Sequence, residues 1–418
     1  MSLIESITVF LKQSLSPSSI KHGYSKHIEQ YRGLCALLVF IEHATLYPSF
    51  VVSNFKWPAY FSYFGAGHIS VIVFFCISGY VIGINYDTDD LNIKDYLKKR
   101  LVRLYPIYVI AVLTAAFLAG GFTTWEIIKN LLFLQNSYPY IHFYAPIILN
   151  VTWSLNYEVF YYLLFIGLFL LRPKIWCLIL VMLILTIISI HSGTTTVVFV
   201  NYLDGLYIWL LGLMLGWSIF KFKIATDKFV PLLSMLFLQL CFQHLDLGLM
   251  IIHIFKINTI TNLDYILNIP FCLMIMCILT SKDNLFLRFN KILCYASPAF
   301  VFIFLIINNR IFEDLRWIMC LIYWLLSLLF YYEKRISAFL LEKLTYMGKI
   351  SYGFYLLHIP VAIIIKKTVF INNHTLEVIV KYTLWVGLTF AVSFLLERVV
   401  QPRIKKYFFE KKIDPVPA

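Results

Sequence analysis

An all-α polytopic membrane protein is what this sequence predicts, and three observations predict it. Of its 418 residues, 61% are hydrophobic and only 14% are charged, against roughly 25% charged in soluble domains. Mean hydropathy is +0.80. Apolar runs able to cross a hydrocarbon core of about 30 Å as helices recur to the end of the chain. The short alternating segments of a transmembrane β-barrel do not occur.

Candidate spans fall near 31–50, 66–85, 104–122, 151–171, 173–190, 203–220, 229–246, 264–281, 294–312, 316–332, 351–370 and 379–397. Two weaker runs between 229 and 332 read as re-entrant or broken, so about ten to twelve transmembrane helices are expected. With the N-terminus inside, alternate loops hold most of the 35 Lys and Arg residues. That asymmetry marks cytoplasmic loops and puts both termini in the cytoplasm. The net charge of +13 therefore reads as topology and attraction to a lipid surface, with no nucleic-acid partner. The expected organisation is a cytoplasmic segment 1–30, a transmembrane domain 31–400 and a basic cytoplasmic tail 401–418. Residues 1–30 lack the pattern of a cleavable signal peptide. The eight cysteines scatter through apolar segments without a C-x-x-C pair, so no metal site is expected. The outer loop 123–150 predicts a short interfacial helix from about Trp125 to Leu134. The tail "RIKKYFFEKK" after Pro402 predicts a surface helix against anionic headgroups.

Chemistry enters where polar groups interrupt these runs. In the first span, "YRGLCALLVFIEHATLY", Arg32 and His43 are eleven residues apart, close to whole helical turns. They share one face roughly 16 Å apart along the axis, with Arg32 at the cytoplasmic edge and His43 deeper. A charge at the centre of a bilayer helix costs at least ~2.5 kcal/mol, so such groups face a cavity or a partner. Glu42 points about 100° away and reads as the partner of another buried group. In "KDYLKKRLVRLYPIY", Arg100 and Arg103 share a helix edge at the mouth of the third span. The bland reading is a charge anchor. Planar guanidinium groups in a cluster also suit phosphate oxygens. In "NVTWSLNYEVFYYLL", Ser154 and Glu158 are spaced to share one face and Trp153 and Tyr157 the adjacent one. Glu158 could orient an imidazolium, bind sugar hydroxyls or carry protons. In "GKISYGFYLLHIP", Ser351, Tyr355 and His358 lie along one helical side, as a site or as a network stapling helices together.

Taken together and in order, these stretches resemble the acyltransferase-3 family of membrane proteins. Its members have an Arg followed eleven residues later by His, as Arg32 and His43 do. They carry a "G-(V)-x-x-F-F-x-x-S-G" segment, here ending at Ser78 and Gly79. Next comes R-x-x-R-(L/I)-(Y)-P, here Arg100 to Pro106, and then "TWSLxxE", here Thr152 to Glu158. Late in the chain stand "SYxxYLLH-x-P", here Ser351 to Pro360, and "E-x-x-x-x-P", here Glu397 to Pro402. One departure is Gly67-His68-Ile69-Ser70, where an aspartate or glycine is usual near the start of the second motif. No C-terminal SGNH domain follows, so the chain resembles the stand-alone form.

The resemblance implies an O-acyltransferase of the bacterial cytoplasmic (inner) membrane. It would move an acyl group, usually acetyl, from cytoplasmic acetyl-CoA or another acyl-CoA to a hydroxyl of an exported glycan. It implies His43 as the catalytic histidine and Arg32, Arg100 and Arg103 as required arginines. On the residues themselves, Arg100 and Arg103 are expected to hold the donor phosphates, with Arg32 near the entrance and His43 as base or nucleophile. Glu158 is expected to assist. Trp153, Ser154, Tyr157, Tyr355 and His358 are expected on the acceptor side. The partners are then a glycan acceptor and the lipid bilayer, with the oligomeric state left open. The competing reading is a membrane transporter whose buried Arg, His and Glu residues form a substrate or proton pathway.

Overall fold

A computed structural model describes residues 26–86, 91–135, 148–191, 197–217, 229–255, 264–280 and 285–409, with Glu5. Among them every regular element is helical and there is no strand. The α-helices are α1 (Lys26–Leu46), α2 (Gly67–Asn85), α3 (Ile93–Ala119), α4 (Thr124–Leu131), α5 (Trp153–Leu171) and α6 (Ile175–His191). They continue with α7 (Val197–Trp217), α8 (Leu232–Leu245), α9 (Leu247–Ile254), α10 (Asp264–Leu279) and α11 (Leu285–Ile307). The last are α12 (Leu315–Leu329), α13 (Arg335–Gly348), α14 (Ser351–Thr368), α15 (His374–Phe394) and α16 (Gln401–Phe409).

Among the described residues, six helices are long and apolar enough to cross a membrane, or seven if α13 and α14 form one broken span. This is fewer than hydropathy alone predicts, for local reasons. Helix α1 carries Lys26, Glu29, Arg32 and Glu42 within its 21 residues. The apolar run after Pro231 breaks at Asp246, whose backbone is left-handed (φ 47°), so α8 spans only 14 residues and α9 eight. Arg316 seals this break, 2.7 Å from the Asp246 carboxylate. Helix α10 is short and contains Pro270. The short helix expected in loop 123–150 is present as α4. Thr123 and Glu126 form a reciprocal capping box at its start, and those hydrogen bonds hold the Glu126 carboxyl below its ordinary pKa. The tail helix α16 continues α15 through a π-helical turn at Leu395–Val400. Residues 410–412 of the tail motif, the Pro-containing turn near 136–147 and most of segment 1–30 lie outside the described residues.

The chain forms two compact units. The first comprises the described parts of Met1–Tyr47, Trp57–Asp90 and Tyr157–Gly348. In it α1 packs on α2 and α13, α2 on α7, and α8 on α12. The contact between α2 and α7 is made by glycines. Gly79 and Gly83 face Gly212 and Gly216, each pair four residues apart on its own helix. A Cβ on Gly83 would lie 2.8 Å from the Leu213 carbonyl oxygen, and one on Gly216 would lie 2.6 Å from that of Tyr80. Small residues at this spacing let two backbones touch, which in lipid supplies the packing that water would otherwise drive.

A buried polar chain joins three helices of the same unit. Tyr31 of α1 donates to Gln239 Oε1 of α8 at 2.5 Å, and Gln239 Nε2 donates to Ser70 Oγ of α2 at 2.9 Å. Glu42 has the partner role expected of it. Its carboxylate accepts the Gly67 amide at 2.6 Å, placing negative charge at the positive N-terminal end of α2.

The second unit comprises Pro48–Lys56, Leu91–Asn156 and the described part of Lys349–Ala418. Here α14 packs on α15 and α3, and α16 on α3. Helix α15 is apolar outside and polar within. Its buried residues are Lys381, Trp385, Thr389 and Ser393, one every fourth position. Ridges of that spacing are the ones helices interdigitate. Lys381 is 3% exposed and pairs with Glu377 at 2.7 Å, while the Trp385 indole donates to the His358 carbonyl at 2.6 Å.

Candidate active site

Four candidate residues, Arg32, His43, Tyr157 and Glu158, belong to the first unit. The other six, Arg100, Arg103, Trp153, Ser154, Tyr355 and His358, belong to the second.

In the first unit His43 sits in the last turn of α1, half-buried, with its ring 5.8 Å from that of Tyr47. Its Nδ1 lies 2.9 Å from the Val39 carbonyl oxygen. A carbonyl only accepts, so Nδ1 carries the proton and the lone pair of the neutral ring is on Nε2. That is the tautomer a base or nucleophile needs. Arg32 stands three turns nearer the start of α1, 3.9 Å from Glu29 one turn back. Its charge is thus balanced within its own helix.

Glu158 is joined by a residue from the second sequence motif. Ser78 Oγ donates to Glu158 Oε1 at 2.7 Å, and the Tyr162 hydroxyl donates to the same oxygen. Two donors fix the carboxylate in place. Tyr157 packs its ring 4.4 Å from Tyr202. Spacing along α5 puts Ser154 and Glu158 on one side, but their bonds differ. Ser154 pairs with Tyr355 of α14 and Glu158 with Ser78 of α2.

In the second unit the motifs interlock. Arg100 and Arg103 lie on one unbroken helix that runs through Pro106. Proline has no N–H, so the Val102 carbonyl loses its partner four residues on. Gln401, inside the last motif, supplies the missing donor at 2.5 Å and also reaches the Arg103 carbonyl at 3.3 Å. Tyr352 donates to the Leu104 carbonyl at 2.8 Å. Glu397 accepts the Gly353 amide at 2.9 Å, capping α14 in its first turn. A Cβ on Gly353 would come to 3.1 Å from Glu397 Cγ, so the glycine gives the carboxylate room. The Arg100 guanidinium lies 5.6 Å from the Tyr96 ring centroid. Gln401 and Tyr352 were not singled out from sequence. The signal for Gln401 was Pro106, which announces an orphan carbonyl.

Trp153 is half-buried at the start of α5. Ser154 Oγ lies 2.9 Å from the Tyr355 hydroxyl, which also donates to the Val151 carbonyl at 2.8 Å. His358 is fully buried, its Nδ1 3.3 Å from the Phe354 carbonyl. Tyr355 thus ties α14 to the start of α5, while the His358 bond lies within α14.

A family model described as an acyltransferase domain matches residues 26–398, nearly the whole described chain. The chain belongs to the acyltransferase-3 family. The match covers the first five motifs and the start of the sixth, and reaches into both compact units. The chain is also similar to an exopolysaccharide production protein, ExoZ, of Rhizobium meliloti (strain 1021). The two are 30% identical over 121 residues, 27% of this chain and 38% of that relative's length. No solved structure matches. As an acyltransferase-3 member with six or seven described helices able to cross a bilayer, the protein is a multi-pass membrane protein.

If Gln401 serves as the stand-in donor, Gln401→Leu leaves the Val102 carbonyl buried without a partner. The expected cost is about 1–3 kcal/mol, seen as a lower unfolding midpoint in detergent. A midpoint equal to the wild type would show that water satisfies that carbonyl.

Proposed function

We propose that the protein is an O-acyltransferase of the bacterial inner membrane. It moves an acyl group, acetyl by expectation, from cytoplasmic acyl-CoA to a hydroxyl of an exported polysaccharide. The observation that carries this reading is the His43 ring, fixed by Val39 in the tautomer with its lone pair on Nε2, within a chain whose family match spans 26–398. The partial likeness to an exopolysaccharide production protein supports the acceptor class. Counting α1 and the four shorter apolar helices as crossings supports about ten to twelve, and the loop charge asymmetry favours both termini in the cytoplasm.

Arg100 and Arg103 bind the donor phosphates, and Arg32 lines the donor entrance. His43 Nε2 takes the proton of the acceptor hydroxyl as its oxygen attacks the thioester carbonyl. The tetrahedral intermediate collapses with cleavage of the C–S bond. The imidazolium returns the proton to the departing thiolate, leaving the ester, free CoA thiol and neutral His43. Glu158, held by Ser78 and Tyr162, assists the reaction. Trp153, Ser154, Tyr157, Tyr355 and His358 are assigned to the acceptor side.

Purified protein in liposomes with labelled acetyl-CoA tests the reading. Label appearing in glycan ester supports it. Solute movement coupled to a gradient, with no ester formed, replaces it with the transporter. Arg103→Ala is expected to raise the KM for acyl-CoA roughly tenfold or more, from the loss of a charged hydrogen bond to phosphate, with a smaller change in kcat. An unchanged KM removes Arg103 from the donor site.

A further inference from the structure

Two cavities of the first unit, of about 600 Å³ and about 310 Å³, are lined by none of the candidate catalytic residues. They share one rim made of Arg288, Lys291, Tyr331 and Tyr332. Arg288 and Lys291 are one turn apart near the start of α11, and the tyrosines follow the end of α12. Both helices qualify as membrane spans, so the rim lies at one end of two adjacent crossings.

The rim is ordered. Lys291 Nζ donates to the Tyr331 hydroxyl at 2.7 Å and lies 5.4 Å from that ring's centroid. Tyr331 stands edge-on to Tyr295 at 5.5 Å, and the Trp324 indole donates to the Tyr295 carbonyl at 2.7 Å. Cations backed by tyrosine and tryptophan are the residues of a membrane–water interface.

Away from the rim each cavity becomes apolar. The larger runs along Ile292, Ala296 and Ala299, one stripe of α11, facing Leu328 of α12. The alanines make a trough, and Ile292 at 63% exposed leaves it open sideways. The smaller is floored by Met274, Cys277 and Ile278 of α10. One cationic rim thus serves two apolar troughs.

We propose that this cleft binds an anionic phospholipid. Its phosphate sits between Arg288 and Lys291, and its two acyl chains lie in the two troughs. A nucleotide or free phosphate would use the rim and leave both troughs unfilled. The basic start of α11 is expected on the cytoplasmic side, where anionic headgroups attract such segments.

The test is independent of acyl transfer. Full-length protein in neutral detergent is incubated with phosphatidylglycerol or phosphatidylcholine, and retained lipid is counted by native mass spectrometry. Phosphatidylglycerol is expected to be retained in preference. Arg288→Gln/Lys291→Gln should weaken that retention roughly thirty-fold, from a factor of about five per cation. Equal retention by the double variant, or equal retention of the two lipids, overturns the proposal. So does displacement of phosphatidylglycerol by inorganic phosphate or coenzyme A at matching concentration, because the troughs would then contribute nothing. Should the double variant fail to fold, Ala296→Phe decides, since Ala296 is exposed and a ring there fills the trough without entering the core. Lost retention upholds the two-trough site, and unchanged retention ends it.

Discussion

His43→Ala is expected to leave a folded membrane protein that no longer transfers acyl groups. The structural loss is small. The ring's bond to Val39 lies within α1, and the Val39 carbonyl keeps the backbone amide of residue 43 as its helical partner. Stability should therefore change by no more than about 1 kcal/mol. The chemical loss is large, because positioned proton transfer contributes on the order of 10²–10⁴ in rate. Labelled acyl transfer and the unfolding midpoint, measured on one preparation, separate the two. Transfer within tenfold of the wild type at an unchanged midpoint would remove His43 from the reaction.

Gly212→Leu should have the opposite signature, loss of the folded protein whatever the assay. A side chain at Gly212 is driven into the Cys76 carbonyl, and one at Gly79 into that of Trp209. Both obstacles are helix backbone, which yields only if α2 and α7 separate along their whole contact. Overpacking of this kind costs about 3 kcal/mol or more, enough to abolish folded material in detergent. Gly167→Ala is the control, since no atom lies within 4 Å of where its Cβ would be. It should be neutral or mildly stabilising through helix propensity. A Gly212→Leu protein that melts with the wild type would mean that α2 and α7 do not touch as described.

The helical class, the short α4 and the motif residues were legible because each depends on local information. Periodicity, composition and a capping pair all act within one or two turns. What stayed hidden depends on partners distant in the chain. Gly79 and Gly83 gain meaning only from Gly212 and Gly216, more than a hundred positions on. The spacing of Ser154 and Glu158 fixes their direction from α5, yet it does not say that one meets Tyr355 and the other Ser78. Hydropathy also averages over single residues. The run beyond Pro231 reads as one span, and the left-handed Asp246, held by Arg316, divides it. Gln401 looked like part of a tail and proves to be the donor that lets Pro106 sit inside α3.

The interior of α15 bears on how the chain is made. A segment whose hidden side holds an ammonium, an indole and two hydroxyls has poor reason to leave the insertion machinery alone. Apart from its neighbour it would show those groups to hydrocarbon, which is costly. Helix α14 is separated from it by only a few residues and covers that side. The two are therefore expected to enter the bilayer as a hairpin during synthesis, with the Glu377 partner of Lys381 already in place. Biogenesis of the last sixth or so of the sequence would then wait on one helix until its successor emerges from the ribosome.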